Sequence, residues 1–255
     1  CVTIFGPQSD ISPEEKKLLS EYVENGGKLF VAAGPVKDGR LENLNQLLED
    51  YGVTVEDGIV VEGDREHYAL QTPYALIPEM GEHEITASLA EARYFPILPI
   101  SSGLVVSGEA KESGRVTELL TTSDLAFSKK AGYGLETYEK EEGDTDGPFA
   151  PAVAVECEND GRIVWFASSE FLMDMYNALS SGANSDLAMN ALACLNGERE
   201  AMAIRSKSLN YNYLTISEST SSMLQVMMIG VFPLLYLGIG AAVVLRRRRK
   251  QNEAV

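Results

Sequence analysis

The 255-residue chain predicts an α/β fold built on a parallel sheet, followed by one transmembrane helix. Three observations predict it. Apolar strands and amphipathic helices alternate across residues 1–52, the spacing of parallel strands joined by crossover helices. No charged residue occurs between Glu218 and Arg246, and Met223–Leu245 is an apolar run. Arg246, Arg247, Arg248 and Arg249 follow it directly.

The elements follow in order. Val2–Phe5 predicts a buried strand, with Cys1 already in it, and Gly6-Pro7 ends it. Ser12-Pro13-Glu14-Glu15 predicts a helix start, with Ser12 as cap, Pro13 in the first helical position and Glu15 completing a capping box. Leu18, Leu19, Tyr22 and Val23 fall on one face of that helix, which Asn25-Gly26-Gly27 stops. "KLFVAAGP" is a second strand ending in Gly-Pro, and "LENLNQLLEDYG" a second helix stopped by Gly52. Residues 64–113, with Pro73, Pro78, Pro96 and Pro99, predict an irregular insertion holding a short helix near Ala87–Ala92 and a strand near Leu104–Ser107. "RVTELLTTS" predicts a buried strand, and the polar, Gly-rich residues 129–148 a mobile loop. "PAVAVECENDGRIVWFASS" is a hairpin signal turning at Asn159-Asp160-Gly161. "NSDLAMNALACLNG" puts Leu187, Ala191 and Leu195 on one face of a helix. The expected organisation is an extracytoplasmic domain over 1–200, a juxtamembrane stalk over 201–222, the membrane helix over 223–245 and a basic cytoplasmic tail over 246–255.

Charge supports this division. The net charge is −17, yet residues 1–222 carry 16 basic against 37 acidic side chains, about −21. Such a surface repels nucleic-acid phosphates, so DNA and RNA are excluded as partners. Twelve residues of Met223–Leu245 are Leu, Ile, Val or Phe. At roughly −0.3 to −0.6 kcal/mol each they favour insertion by about 4–7 kcal/mol, offset in part by Gln225, Pro233 and the glycines. Pro233 predicts a kink that membrane helices tolerate. The arginines predict a cytoplasmic C-terminus, which leaves the acidic domain in the periplasm or outside the cell. A signal peptide is excluded by the run's position in the chain.

The segments "VTIFGPQSDISPEEKKLLSEYVENGGKLFVAAGP", "LNQLLEDYGVTVEDGIVVEGD", "GPFAPAVAVE", "RIVWFASSEFLMD", "ANSDLAMNALACLNG" and "IRSK" stand in this order before the apolar run. In that order the chain resembles the gliding-motility-type ABC transporter auxiliary proteins, over nearly its whole length. The resemblance implies a membrane-anchored extracytoplasmic protein with a glutamine-amidotransferase-like or flavodoxin-like fold, working beside an ABC permease and ATPase. It also implies further chain upstream of Cys1. The family often has Gly-Asp where this chain has Ala167-Ser168-Ser169-Glu170-Phe171, which weakens any role carried by that acid.

In a parallel sheet, ligands bind beyond the carboxyl ends of the strands. Gln8, Ser9, Asp10, Gly34, Ser169 and Glu170 are the candidates there, with Asn184 and Asp186 at a helix start. Gly-Pro with a capping box is equally what a tight strand–helix connection needs, so both readings stand. The dinucleotide fingerprint GxGxxG is absent. Catalysis is not expected: Cys1, Cys157 and Cys194 sit in a strand, a hairpin and a helix rather than at a strand–helix elbow, and no GxSxG surrounds Ser168 or Ser169. His67 and His83 stand among acids without zinc spacing, so neither a metal nor another cofactor is expected. "GDTDGPFAPAVAVE" has Val155 where a calcium loop needs Glu.

Overall fold

The computed structural model describes residues 1–197 and 218–252. The chain divides into two compact units, Cys1–Asn210 and Tyr211–Val255. The first opens with β1 (Val2–Phe5), α1 (Pro13–Glu24), β2 (Lys28–Ala32) and α2 (Glu42–Glu49), then β3 (Val53–Glu56) and β4 (Ile59–Val61). Residues 64–113 carry only short elements: β5 (Ala75–Leu76), β6 (Glu79–Met80), α3 (Glu84–Ala92), β7 (Leu98–Pro99), β8 (Gly103–Val106) and α4 (Gly108–Glu112). The unit continues through β9 (Val116–Thr121), β10 (Phe127–Lys129), β11 (Thr145–Asp146), β12 (Ala152–Glu156), β13 (Arg162–Phe166), α5 (Asp174–Leu179) and α6 (Ala183–Asn196).

Six strands form the main sheet in the order β1-β2-β13-β12-β9-β6. It is mixed. β1, β2 and β13 run parallel, whereas β12, β9 and β6 alternate antiparallel. The hairpin predicted at residues 151–169 is β12–β13, and its second strand joins β2 in parallel. Alternation along the central strands splits the apolar side chains between two cores. Leu29, Val31, Ile163, Trp165, Val153 and Val155 pack under α1 and α2. Phe30, Ala32, Val164 and Phe166 pack against α3 and α6, where Leu187, Ala191 and Leu195 are buried as predicted.

Two expectations are corrected. β1 is an edge strand, so Val2 and Phe5 are exposed rather than buried. In α1, Leu19 and Val23 turn inward, but Leu18 is 65% exposed. Leu18 and Tyr22 instead border a shallow open hollow with Asn25, Gly26 and Gly27. The start of α1 is as predicted: the Ser12 hydroxyl accepts from Glu15 N–H at 3.2 Å, and Glu15 Oε2 accepts from Ser12 N–H at 2.7 Å.

The described part of the second unit is a helical rod: α7 (Glu218–Gln225), a π-helical stretch (Val226–Val231) and α8 (Phe232–Asn252). Within it, Ser222–Ala241 is long and apolar enough to cross a membrane, with a mean hydropathy of 1.9. The π-helical turns stand just before Pro233, whose ring would clash with a carbonyl one turn back and which has no N–H to donate. The helix continues through Arg246–Arg249 to Asn252. Residues 201–217 of the expected stalk, residues 253–255, and the side chains of Leu245, Arg247, Arg248 and Arg249 lie outside the described residues.

Candidate functional site at the strand ends

The carboxyl ends of β1, β2 and β13 form one rim, drawn together by backbone. Gly6 N–H donates to Ala32 O, Ala33 N–H to Phe166 O, and Ser102 N–H to Ala167 O, each at 2.9 Å. Gly6 has φ +56° and would place a Cβ 3.6 Å from the Ser169 side chain. A Cβ on Gly34 would come 3.0 Å from Ile100 O, beside Ser168. Both glycines therefore let the loops close over the end of β13. The buried Ser168 hydroxyl donates to Pro99 O, which ties β7 to the same place.

The predicted residues divide by their partners. Asp10 is bound inward: Oδ2 accepts from Asn43 N–H at 2.8 Å and from its side-chain amide at 2.9 Å, and Oδ1 from Leu44 N–H at 3.1 Å. It thus caps α2, whose own N-cap position is Leu41, without a side-chain acceptor. Asn184 is fully buried. Its amide nitrogen donates to Ile97 O and Phe171 O, and its oxygen accepts from Ile97 N–H. It locks α6 to the loops that hold Ile97 and Phe171. Gln8 donates to Gly6 O at 3.1 Å from an exposed position, and Ser9 is exposed. Ser169 and Glu170 are half-buried on the rim itself, while Asp186 lies in the first turn of α6, away from it in the sequence.

Sequence reasoning missed the aromatic residues that border the rim. Tyr133, from a short 3₁₀ turn at Gly132–Gly134, donates its hydroxyl to Pro35 O at 3.3 Å, and Lys37 Nζ stands 5.6 Å from its ring centre. The Tyr74 carbonyl accepts from Ile100 N–H at 3.0 Å, and its ring packs on Tyr138 at 5.9 Å. Burial raises the pKa of both Tyr133 and Tyr176, and the nearby Glu170 charge raises each further. Residues 129–148, expected as a loop, are pinned by Lys129, whose side chain is fully covered. Its ammonium donates to Glu139 O at 2.9 Å, pairs with Asp144 at 3.2 Å and contacts Glu141. Burial alone would lower the Lys129 pKa, but the two carboxylates more than offset it, so it stands above its ordinary value.

Other reactive groups are occupied elsewhere. Burial pushes the Cys194 thiol up to about 12, helped by its hydrogen bond to Glu84 at 2.8 Å, and burial also raises Cys157. His83 caps α3 by accepting from Ile85 N–H at 3.2 Å, and burial lowers its pKa. Among the described residues no group of three or more His, Cys, Asp or Glu side chains is placed to hold a metal ion.

Comparison with known proteins adds four findings. A 57-residue stretch is 37% identical to the human (Homo sapiens) intraflagellar transport protein 52 homolog, covering 22% of this chain and 13% of that protein. The mmIFT52 N-terminal domain shares the fold at TM-score 0.54 and 21% identity, over 76% of this chain and 75% of that one. A ThuA-like protein from Bacteroides uniformis aligns more loosely, at TM-score 0.38 and 17% identity, over 75% of this chain and 66% of that one. Residues 1–191 match the ABC transporter auxiliary family, described as an ABC-type uncharacterized transport system, and the chain belongs to that family.

Proposed function

We propose that this chain is a non-catalytic auxiliary subunit of a gliding-motility-type ABC transport system. Its C-terminal helix is threaded through the bilayer and its acidic α/β domain lies outside the cytoplasm, docked to the permease and coupled through it to the ATPase. The observation that carries this reading is the union in one chain of the family match over residues 1–191 and the apolar Ser222–Ala241 helix, followed within a turn or so by arginines. Burial raises the pKa of the Cys157 and Cys194 thiols, and Asp10 and Asn184 are spent on internal hydrogen bonds; both support a role without covalent chemistry. Helices on both faces of the parallel β1–β2–β13 half support descent from an amidotransferase-like or flavodoxin-like fold. Affinity purification of the full-length chain from mild-detergent extracts tests the reading. Permease and ATPase subunits should enrich together with it. Intact bait that brings down neither overturns it.

A second reading has its own observation. Tyr133 bonds to Pro35 O near enough to Glu170 to feel its charge, and Tyr74, bonded through its carbonyl to Ile100 N–H, packs on Tyr138; such aromatic and carboxylate groups suit a glycan or peptide ligand.

A further inference from the structure

The rim combines aromatic rings with unneutralised acid. Tyr133 and Tyr138 are 40% and 44% exposed, so each leaves part of its ring to solvent. Both come from residues 130–148, where six carboxylates stand against two lysines. Asp144 and Glu141 face Lys129, and Asp146 pairs with Lys140. Glu136, Glu139, Glu142 and the rim's own Glu170 have no ion-pair partner among the described residues. The covered Lys129 folds the segment on itself, and the Tyr133–Pro35 and Tyr74–Tyr138 contacts hold it at the rim. One cation already uses this surface: Lys37 lies over the Tyr133 ring, where the negative face of an aromatic ring attracts an ammonium.

We propose that this tyrosine and carboxylate rim is a docking surface for a basic, Arg- or Lys-bearing segment of a partner protein. The inference rests on the rim being a binding surface and names its occupant by charge complementarity. Guanidinium or ammonium groups lie over Tyr133 and Tyr138 while Glu170 accepts their hydrogen bonds. Lys37 is then a built-in competitor that an incoming cation displaces.

The test uses the full chain in nanodiscs of zwitterionic phosphatidylcholine, which does not attract basic peptides by charge. Three probes are titrated: an alternating Arg-Ala octapeptide, its Glu-Ala counterpart and a neutral glucose hexamer. The basic peptide should bind, more weakly as salt rises, and Glu170→Gln and Tyr138→Ala should each weaken it about threefold or more. Lys37→Gln should strengthen it by about twofold. Glu158→Gln removes the same charge at the β12–β13 turn, at the other end of β13, and should leave binding unchanged. Glu170→Gln keeps the side chain's shape, so its result stands even where Tyr138→Ala disturbs the loop. Equal losses for Glu170→Gln and Glu158→Gln would reduce the effect to diffuse charge and overturn the proposal. Tyr138-dependent binding of the hexamer in place of the peptide would also overturn it while keeping the rim as a site. Binding of none of the three probes would sink both.

Discussion

At the scale of single residues, several polar side chains that look free in the sequence are spent on the fold. Asn184 satisfies the Ile97 N–H and two carbonyls in a place closed to water. Asn184→Ala leaves those groups unpaired, so it is expected to cost about 3 kcal/mol. Trp165 is the chain's one tryptophan and is buried in the α/β unit, so its fluorescence during urea unfolding reads that unit alone. In the same measurement Asp10→Ala should cost about 1–2 kcal/mol, the usual loss of a helix cap. His83 gives a pH dependence with a definite sign. Its folded pKa is lowered, so the unfolded chain takes up the proton first as pH falls. Its contribution is present above about pH 6.5 and lost as pH falls below that toward the folded value. His83→Asn keeps an acceptor for Ile85 N–H and should flatten stability across that window. Asp10 also shows the limit of the sequence. Its role depends on α2, 33 residues away, and the one local sign was that Leu41 cannot cap.

At the scale of elements, periodic segments were readable and irregular ones were not. The capping box of α1, the β12–β13 hairpin and the inner face of α6 follow from spacing within one segment. The exposure of β1 does not, because an edge strand and a central strand can carry the same apolar residues. Tyr133 and Tyr138 gain their roles through contacts with Pro35 and Tyr74, far off in the sequence, and Lys129 through contacts with Glu139, Glu141 and Asp144 of its own segment, a stretch with no period to read. The Lys129 tether is the element-scale prediction. Lys129→Met removes the cation facing Asp144 and Glu141 and is expected to cost about 2–3 kcal/mol, less than a deep pair because Glu141 reaches solvent. It should also speed amide exchange across residues 130–148 while leaving the β2–β13 ladder protected. The Asp144 pKa is lowered and the Lys129 pKa raised. The tether is therefore complete between about pH 4 and pH 10, fails as Asp144 protonates in acid, and fails in alkali as Lys129 loses its proton.

At the scale of the whole molecule, an acidic α/β unit is followed along the chain by an apolar helix that continues into arginines. The apolar helix was legible early because length, absence of charge and a basic flank are properties of composition, independent of folding detail. The mixed sheet was less so, since strand direction on its far side is set by β12, β9 and β6 meeting across the chain. Orientation in the membrane is the claim on which the transport role depends, because an outward-facing domain can meet only the outer face of a permease. Labelling with a membrane-impermeant maleimide tests it, in a chain whose Cys1, Cys157 and Cys194 are replaced. Lys17→Cys, on the exposed side of α1, should react in intact cells or in spheroplasts, and Gln251→Cys only after the membrane is permeabilised. Labelling of Gln251→Cys from outside, with Lys17→Cys protected, would contradict the account.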